Sequence, residues 1–196
     1  MPAIVVPFRG AAGKQRLSPL PDGARAVLSL AMLADVLAAC TVVGETVLVT
    51  SDEDGARVGR EFEARLVDDP GSGQGAAVAT ALREVRNGST LVVNADVPCA
   101  TPADLRALAA ATPEDGLAYV AARDGTTNAL GLAAATLFAP LYGPGSAERF
   151  RVHAHALCVP AVPASIPNLA EDVDSLEDLE RLEMRVGPRT LAARAR

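Results

Sequence analysis

Tryptophan is missing from this chain, and aromatic residues make up only 3% of its 196 residues. Proteins that hold single-stranded nucleic acid stack bases on aromatic rings, so a shortage of rings argues against that partner. Positive charge is not in excess either: 18 Lys and Arg stand against 24 Asp and Glu, a formal net charge of −6. Duplex DNA and anionic membranes both call for a basic footprint, and neither is expected as a partner. Cysteine is limited to Cys40, Cys99 and Cys158, with no Cys-x-x-Cys spacing. An odd, scattered set reads as reduced thiols, and a cytoplasmic location is expected from it. No charged leader precedes the short apolar run at Ala3, so no signal peptide is expected. Arg25 and Asp35 interrupt the longest apolar stretch, and a membrane span is not expected. Lysine is nearly absent too: Lys14 is alone among the Lys and Arg positions, all others being arginine. A compact ammonium kept in an arginine-rich chain marks residue 14 as a candidate, with chance as the competing reading.

What the chain does have is apolar mass. At 49% apolar residues it can bury the core of one domain. The run Leu91-Val92-Val93 has the pattern of a strand buried on both faces, and it stops in Asn94-Ala95-Asp96-Val97-Pro98. Ligands of open α/β sheets bind beyond the carboxyl ends of the strands. Asp96 either holds a metal at that rim or simply ends the strand, as many aspartates do.

The same pattern recurs. Strands are expected near residues 3–6, 46–50, 65–67, 91–93, 117–122 and 129–132, with helices at 23–40, 56–62, 76–86 and 101–111. Further helices are expected around Phe150 and from Ser175 to Val186. Residues 159–166, broken by Pro160 and Pro163, read as an edge strand. Alternation of strand and helix up to residue 111 implies parallel pairing, and the shorter elements after it a smaller antiparallel section. The expected fold class is therefore a single-domain α/β structure, a mostly parallel Rossmann-like sheet flanked by helices. The domain would span residues 1–186, and residues 187–196 would form a loosely held basic tail.

Three further stretches could carry chemistry. Arg9, Lys14 and Arg16 lie on the glycine-containing loop after the first strand, where small residues let backbone N–H groups approach a polyphosphate. The spacing is not that of a Walker P-loop, and a solvated loop is the alternative. The turn Pro70-Gly71-Ser72-Gly73 precedes a helix whose first N–H groups suit a phosphate or a base edge. Asp172 and Asp174 precede the last helix, as metal ligands or as helix caps. His153 and His155, two apart, would point to different sides of a helix and make a poor metal pair. Aspartate oxygens completed by waters and phosphates are what Mg²⁺ prefers. These parts suit nucleotidyl transfer, in which a phosphate oxygen attacks the α-phosphorus of a nucleoside triphosphate and pyrophosphate leaves. A phosphate nucleophile is already ionised, so no general base is required.

Six segments then occur in an order that resembles one family. They are Val6-Pro7 with the later Lys14-Gln15-Arg16-Leu17, Val67-Asp68-Asp69-Pro70-Gly71, Asn94-Ala95-Asp96-Val97-Pro98, Gly125-Thr126-Thr127-Asn128-Ala129-Leu130, Tyr142-Gly143-Pro144-Gly145-Ser146 and Asp172-Val173-Asp174. Across nearly the whole chain they resemble the guanylyltransferases of coenzyme F(420) biosynthesis, which act on phosphoenolpyruvate or 2-phospho-L-lactate. The resemblance implies a nucleotidyltransferase fold of the GT-A-like kind shared with molybdenum-cofactor and sugar-nucleotide transferases. It also implies GTP, Mg²⁺ and a small phosphorylated three-carbon acid as partners, with a homodimer and a downstream transferase of the pathway as further partners to look for.

Carried over by residue, the resemblance makes Asp96 the main metal ligand and Asp174 the second, with Asp172 beside them. Lys14 and Arg16 would neutralise the triphosphate, with Arg9 on the same loop. Thr127, Gly143 and Ser146 would hold the acceptor. Pro70, Gly71, Gly73 and the rim from Thr50 to Asp52 would line the guanine side. Departures are Arg9 in place of a frequent lysine, Gln74-Gly75 in place of Leu-Asn, and an acceptor loop one glycine short. Two alternatives stand beside the main reading: a molybdenum-cofactor guanylyltransferase, and a non-catalytic nucleotide-binding subunit of the same fold.

Overall fold

A computed structural model describes residues 1–10, 21–85 and 88–194. Lys14, Arg16 and the rest of residues 11–20 lie outside the described residues. Seven strands form one sheet: β1 (Ala3–Pro7), β2 (Thr46–Val49), β3 (Arg65–Val67), β4 (Thr90–Val93), β5 (Leu117–Ala121), β6 (Thr127–Leu132) and β7 (Ala161–Pro163). Their order across the sheet is β3-β2-β1-β4-β6-β5-β7. β3, β2, β1 and β4 pair parallel, β6 runs antiparallel to both β4 and β5, and β7 lies parallel to β5 at the edge. The expected sheet, its antiparallel section and the proline-broken edge strand are all present.

Among the described residues, seven α-helices accompany it: α1 (Asp22–Thr41), α2 (Glu53–Glu61), α3 (Gln74–Glu84), α4 (Pro102–Ala111), α5 (Ser146–Ala156), α6 (Leu176–Arg181) and α7 (Pro188–Arg194). The β-branched strands bury both faces because alternate side chains feed two separate cores. Ile4, Val6, Leu48, Leu91 and Val93 meet Leu33 and Leu37 of α1 and Leu105 and Leu108 of α4. Val5, Val47, Val49 and Val92 meet Val78 of α3 and Phe150 of α5 on the other face. The result is a helix–sheet–helix sandwich whose central strands β1 and β4 are sealed on both sides.

Local signals set several boundaries. Thr101 with Asp104, and Ser175 with Asp178, form the two capping boxes expected from their spacing. Two expectations need correction. α1 is long and apolar enough, by length and composition, to cross a membrane; Arg25 and Asp35 do not lower its hydropathy enough to prevent that. Here it lies over the sheet, with Met32, Leu33, Val36 and Leu37 fully buried. The segment after Gly187 is not a loose tail either. It forms α7 against α1, because buried Asp35 accepts the backbone N–H groups of Arg189 at 3.2 Å and Thr190 at 2.8 Å. A charged side chain from another helix thus satisfies two of the donors that every helix start leaves open.

Candidate active site

In the strand order β2-β1-β4, the connection from β1 leaves to one side and β4 enters on the other. The switch falls between β1 and β4, and a crevice opens above their carboxyl ends. A cleft of about 240 Å³ occupies this position. Pro7, Phe8, Arg9 and Gly10 line it from the end of β1, and Asn94, Ala95 and Asp96 from the end of β4. Ser29 and Met32 of α1, Gln74 of α3 and Asp174 close it. Arg9 is exposed and is the cation among the described lining residues.

Asp96 and Asp174 therefore face one space although they are distant in sequence. The Val173 N–H donates to the Asp96 carbonyl at 2.9 Å, which ties the two segments together. Val173 is fully buried among Leu28, Met32, Leu179 and Leu182. With Val173 held in that core, its neighbour Asp174 lines the cleft. Asp172 accepts from Asn128 Nδ2 at 3.3 Å. Its carboxyl is pushed up to about 6, first by burial and then by the negative charge of Asp96, with Asp174 adding less. The helix-cap alternative does not hold for this pair, since Ser175 and Asp178 cap α6.

Among the described residues no group of three or more His, Cys, Asp or Glu side chains converges as a complete metal cage. Asp96 and Asp174 instead offer an oxygen-only pair at an open cleft. That donor set fits Mg²⁺, which keeps waters and takes substrate phosphate oxygens for its remaining positions.

The expected acceptor residues come together at a second corner. Thr127 begins β6 and Ser146 begins α5, and the Ser146 hydroxyl donates to Thr127 Oγ1 at 3.0 Å. Both are sealed, at 1% and 0% exposure. The Ser146 N–H donates to the Gly143 carbonyl at 3.0 Å. Arg149 holds the preceding segment by donating to the carbonyls of Leu141 at 2.8 Å and Tyr142 at 2.9 Å. Here the Ser146 hydroxyl already has its acceptor in Thr127.

Thr50 and Asp52 do not line the cleft. The Thr50 hydroxyl accepts the Asp52 N–H at 3.0 Å, and Asp52 caps α2 by accepting from Gly55 at 2.7 Å. They support the β1 loop from behind: Gly10 has φ +73° and a Cβ there would stand 2.5 Å from Asp52 Oδ2. Pro70, Gly71 and Gly73 shape the turn before α3 without lining the cleft. Asp69 accepts the Gly71 N–H at 2.8 Å, and Gly73, at φ +98°, starts α3 without a side-chain cap. The next residue, Gln74, does reach the cleft. Sequence reasoning missed Ser29, Met32, Gln74 and Asn94 as lining residues and Asn128 as a partner of Asp172. Asn94 stood inside a noted motif; Ser29 and Met32 are indistinguishable in sequence from the core face of α1.

Residues 24–192 match the model of the MobA-like NTP transferase domain. Similar proteins include the phosphoenolpyruvate guanylyltransferase of Geodermatophilus obscurus, 35% identical, with 97% of this chain and 92% of the relative covered. That of Streptomyces coelicolor is 36% identical, covering 98% and 95%. Among solved structures, a candidate nucleotide-diphospho-sugar transferase from Desulfovibrio desulfuricans superposes with a TM-score of 0.78 at 14% identity, covering 100% of this chain and 95% of that one. At that identity the last similarity speaks for the fold alone. A cleft at the β1/β4 switch, two aspartates meeting over it and full-length similarity agree: the chain belongs to the MobA-like NTP transferase domain family and, within it, to the phosphoenolpyruvate guanylyltransferases.

Proposed function

We propose that this protein transfers GMP from GTP to phosphoenolpyruvate with release of pyrophosphate, using Mg²⁺ held by Asp96 and Asp174. The observation that carries the reading is the convergence of those two carboxylates on one cleft at the sheet's switch point. Bound Mg²⁺ would supply charge neutralisation on the phosphate oxygens and keep the attacking and leaving oxygens in line. The protein's own part is positioning. Asp96 and Asp174 would hold the cation, while Arg9, with Lys14 and Arg16, would offset the negative charge of the triphosphate. The acceptor phosphate attacks as an anion, and no side chain needs to remove a proton. No His or Cys stands among the described lining residues, in keeping with that chemistry. The resemblance supports a role for this reaction in coenzyme F(420) biosynthesis, with the product passed to a downstream transferase.

The test is pyrophosphate release from GTP and Mg²⁺ with phosphoenolpyruvate or 2-phospho-L-lactate. Release with phosphoenolpyruvate is expected; release with neither acid would overturn the proposal.

A further inference from the structure

Gln74 belongs to the pair that departs from the family pattern, and here it has a specific partner. Its Nε2 donates to Asn94 Oδ1 at 2.6 Å. Asn94 in turn donates its Nδ2 to the Thr127 carbonyl at 3.2 Å, and its backbone N–H to the Asn128 carbonyl at 3.0 Å. The direction of this relay is dictated by chemistry. A peptide carbonyl only accepts, so Asn94 must turn Nδ2 to Thr127 and present Oδ1 to whatever lies opposite. Only a donor satisfies Oδ1, and Gln74 supplies one from the first turn of α3.

The neighbouring residue makes a second tie between the same two regions. A Cβ on Gly75 would stand 2.6 Å from Pro140 Cβ and 2.9 Å from Pro140 Cα. Only glycine lets α3 sit this close to the segment that leads into Gly143 and Ser146. The start of α3 thus grips the acceptor corner twice, once by packing and once through Asn94.

We propose that Gln74 is a positioning residue: through Asn94 it holds the Thr127 end of β6, so that the nucleotide cleft and the acceptor corner are aligned by one hydrogen-bonded relay. This deepens the proposed function and rests on it for the identity of the acceptor. Binding groups that lose their support are less pre-organised and hold their ligand more weakly.

The test uses Gln74→Met, which keeps the side-chain length and removes the donor. The expected result is a KM for phosphoenolpyruvate raised about tenfold, a larger change than any in the KM for GTP, with the Tm nearly unchanged. In an Asn94→Ala background the same substitution should add nothing, because the relay is already broken. An unchanged KM for phosphoenolpyruvate, an effect confined to GTP or to Tm, or additive effects of the two substitutions would each overturn the proposal. If the wild-type protein releases no pyrophosphate at all, the enzyme reading fails separately. The relay is then judged by hydrogen exchange over residues 125–130: faster exchange in Gln74→Met supports it, and unchanged exchange overturns it.

Discussion

The two ends of the site are built on opposite principles. Beside the cleft, Asp172 is held well above the ordinary carboxylate range, first by burial and then by the charge of Asp96, with Asp174 adding less. At the second corner, Thr127 and Ser146 are sealed and the Ser146 hydroxyl donates to Thr127 Oγ1. Like charges gathered at a strand end cost stability until a cation or a cationic loop offsets them. A paired set of hydroxyls costs little and stays in place. The cleft is therefore the electrostatically unsettled end, where a charged ligand gains most. The corner is the closed end, its hydroxyls sealed from solvent.

Three experiments would break or sharpen that contrast. The largest effect is expected from Asp96→Asn: turnover should fall about a thousandfold or more while circular dichroism and Tm show an intact fold. An unchanged rate would remove Asp96 from the metal site.

A smaller effect is expected at the corner. Ser146→Ala leaves the buried Thr127 hydroxyl without its donor and should cost about 1–2 kcal/mol in urea unfolding. Combined with Thr127→Val, the loss should be smaller than the sum of the two single losses, since no orphaned group then remains. Simple additivity would show that the pair is not the closed unit described here.

The smallest effect separates the ends by sign. A carboxyl whose folded pKa is raised destabilises the fold once it is ionised. That penalty is absent below the unfolded pKa near 4, grows as pH rises through about 6, and is complete above it. Asp172→Asn should therefore stabilise the metal-free protein at pH 7 by on the order of 1 kcal/mol, discounted for water screening, and scarcely at pH 4. Thermal melts across that range check it; stabilisation independent of pH would point to packing instead of charge.

Much of this was readable in the linear chain. β-branched runs marked the buried central strands, the Thr101/Asp104 and Ser175/Asp178 spacings marked two helix starts, and prolines marked the edge strand. These are local rules, enforced within a few residues by sterics and hydrogen bonding. Asp96 was legible for the same reason, as a carboxylate directly after such a run. Less legible was the division of labour among the polar residues around it. Thr50 and Asp52 look like rim ligands in sequence and prove to be a cap and its support. Ser29 looks like a core position and lines the cleft.

By itself, then, the sequence determined the elements, their order and the acidic residues at strand and helix ends, because those depend on neighbours along the chain. Tertiary structure alone decided that Asp174 would share a cleft with Asp96, and that Gln74 would reach Asn94. It also made Asp35 the cap of a helix start 154 and 155 positions away. The reason is physical: each of these pairings follows from how strands and helices are stacked around two buried cores, and packing distance leaves no periodic trace in the sequence.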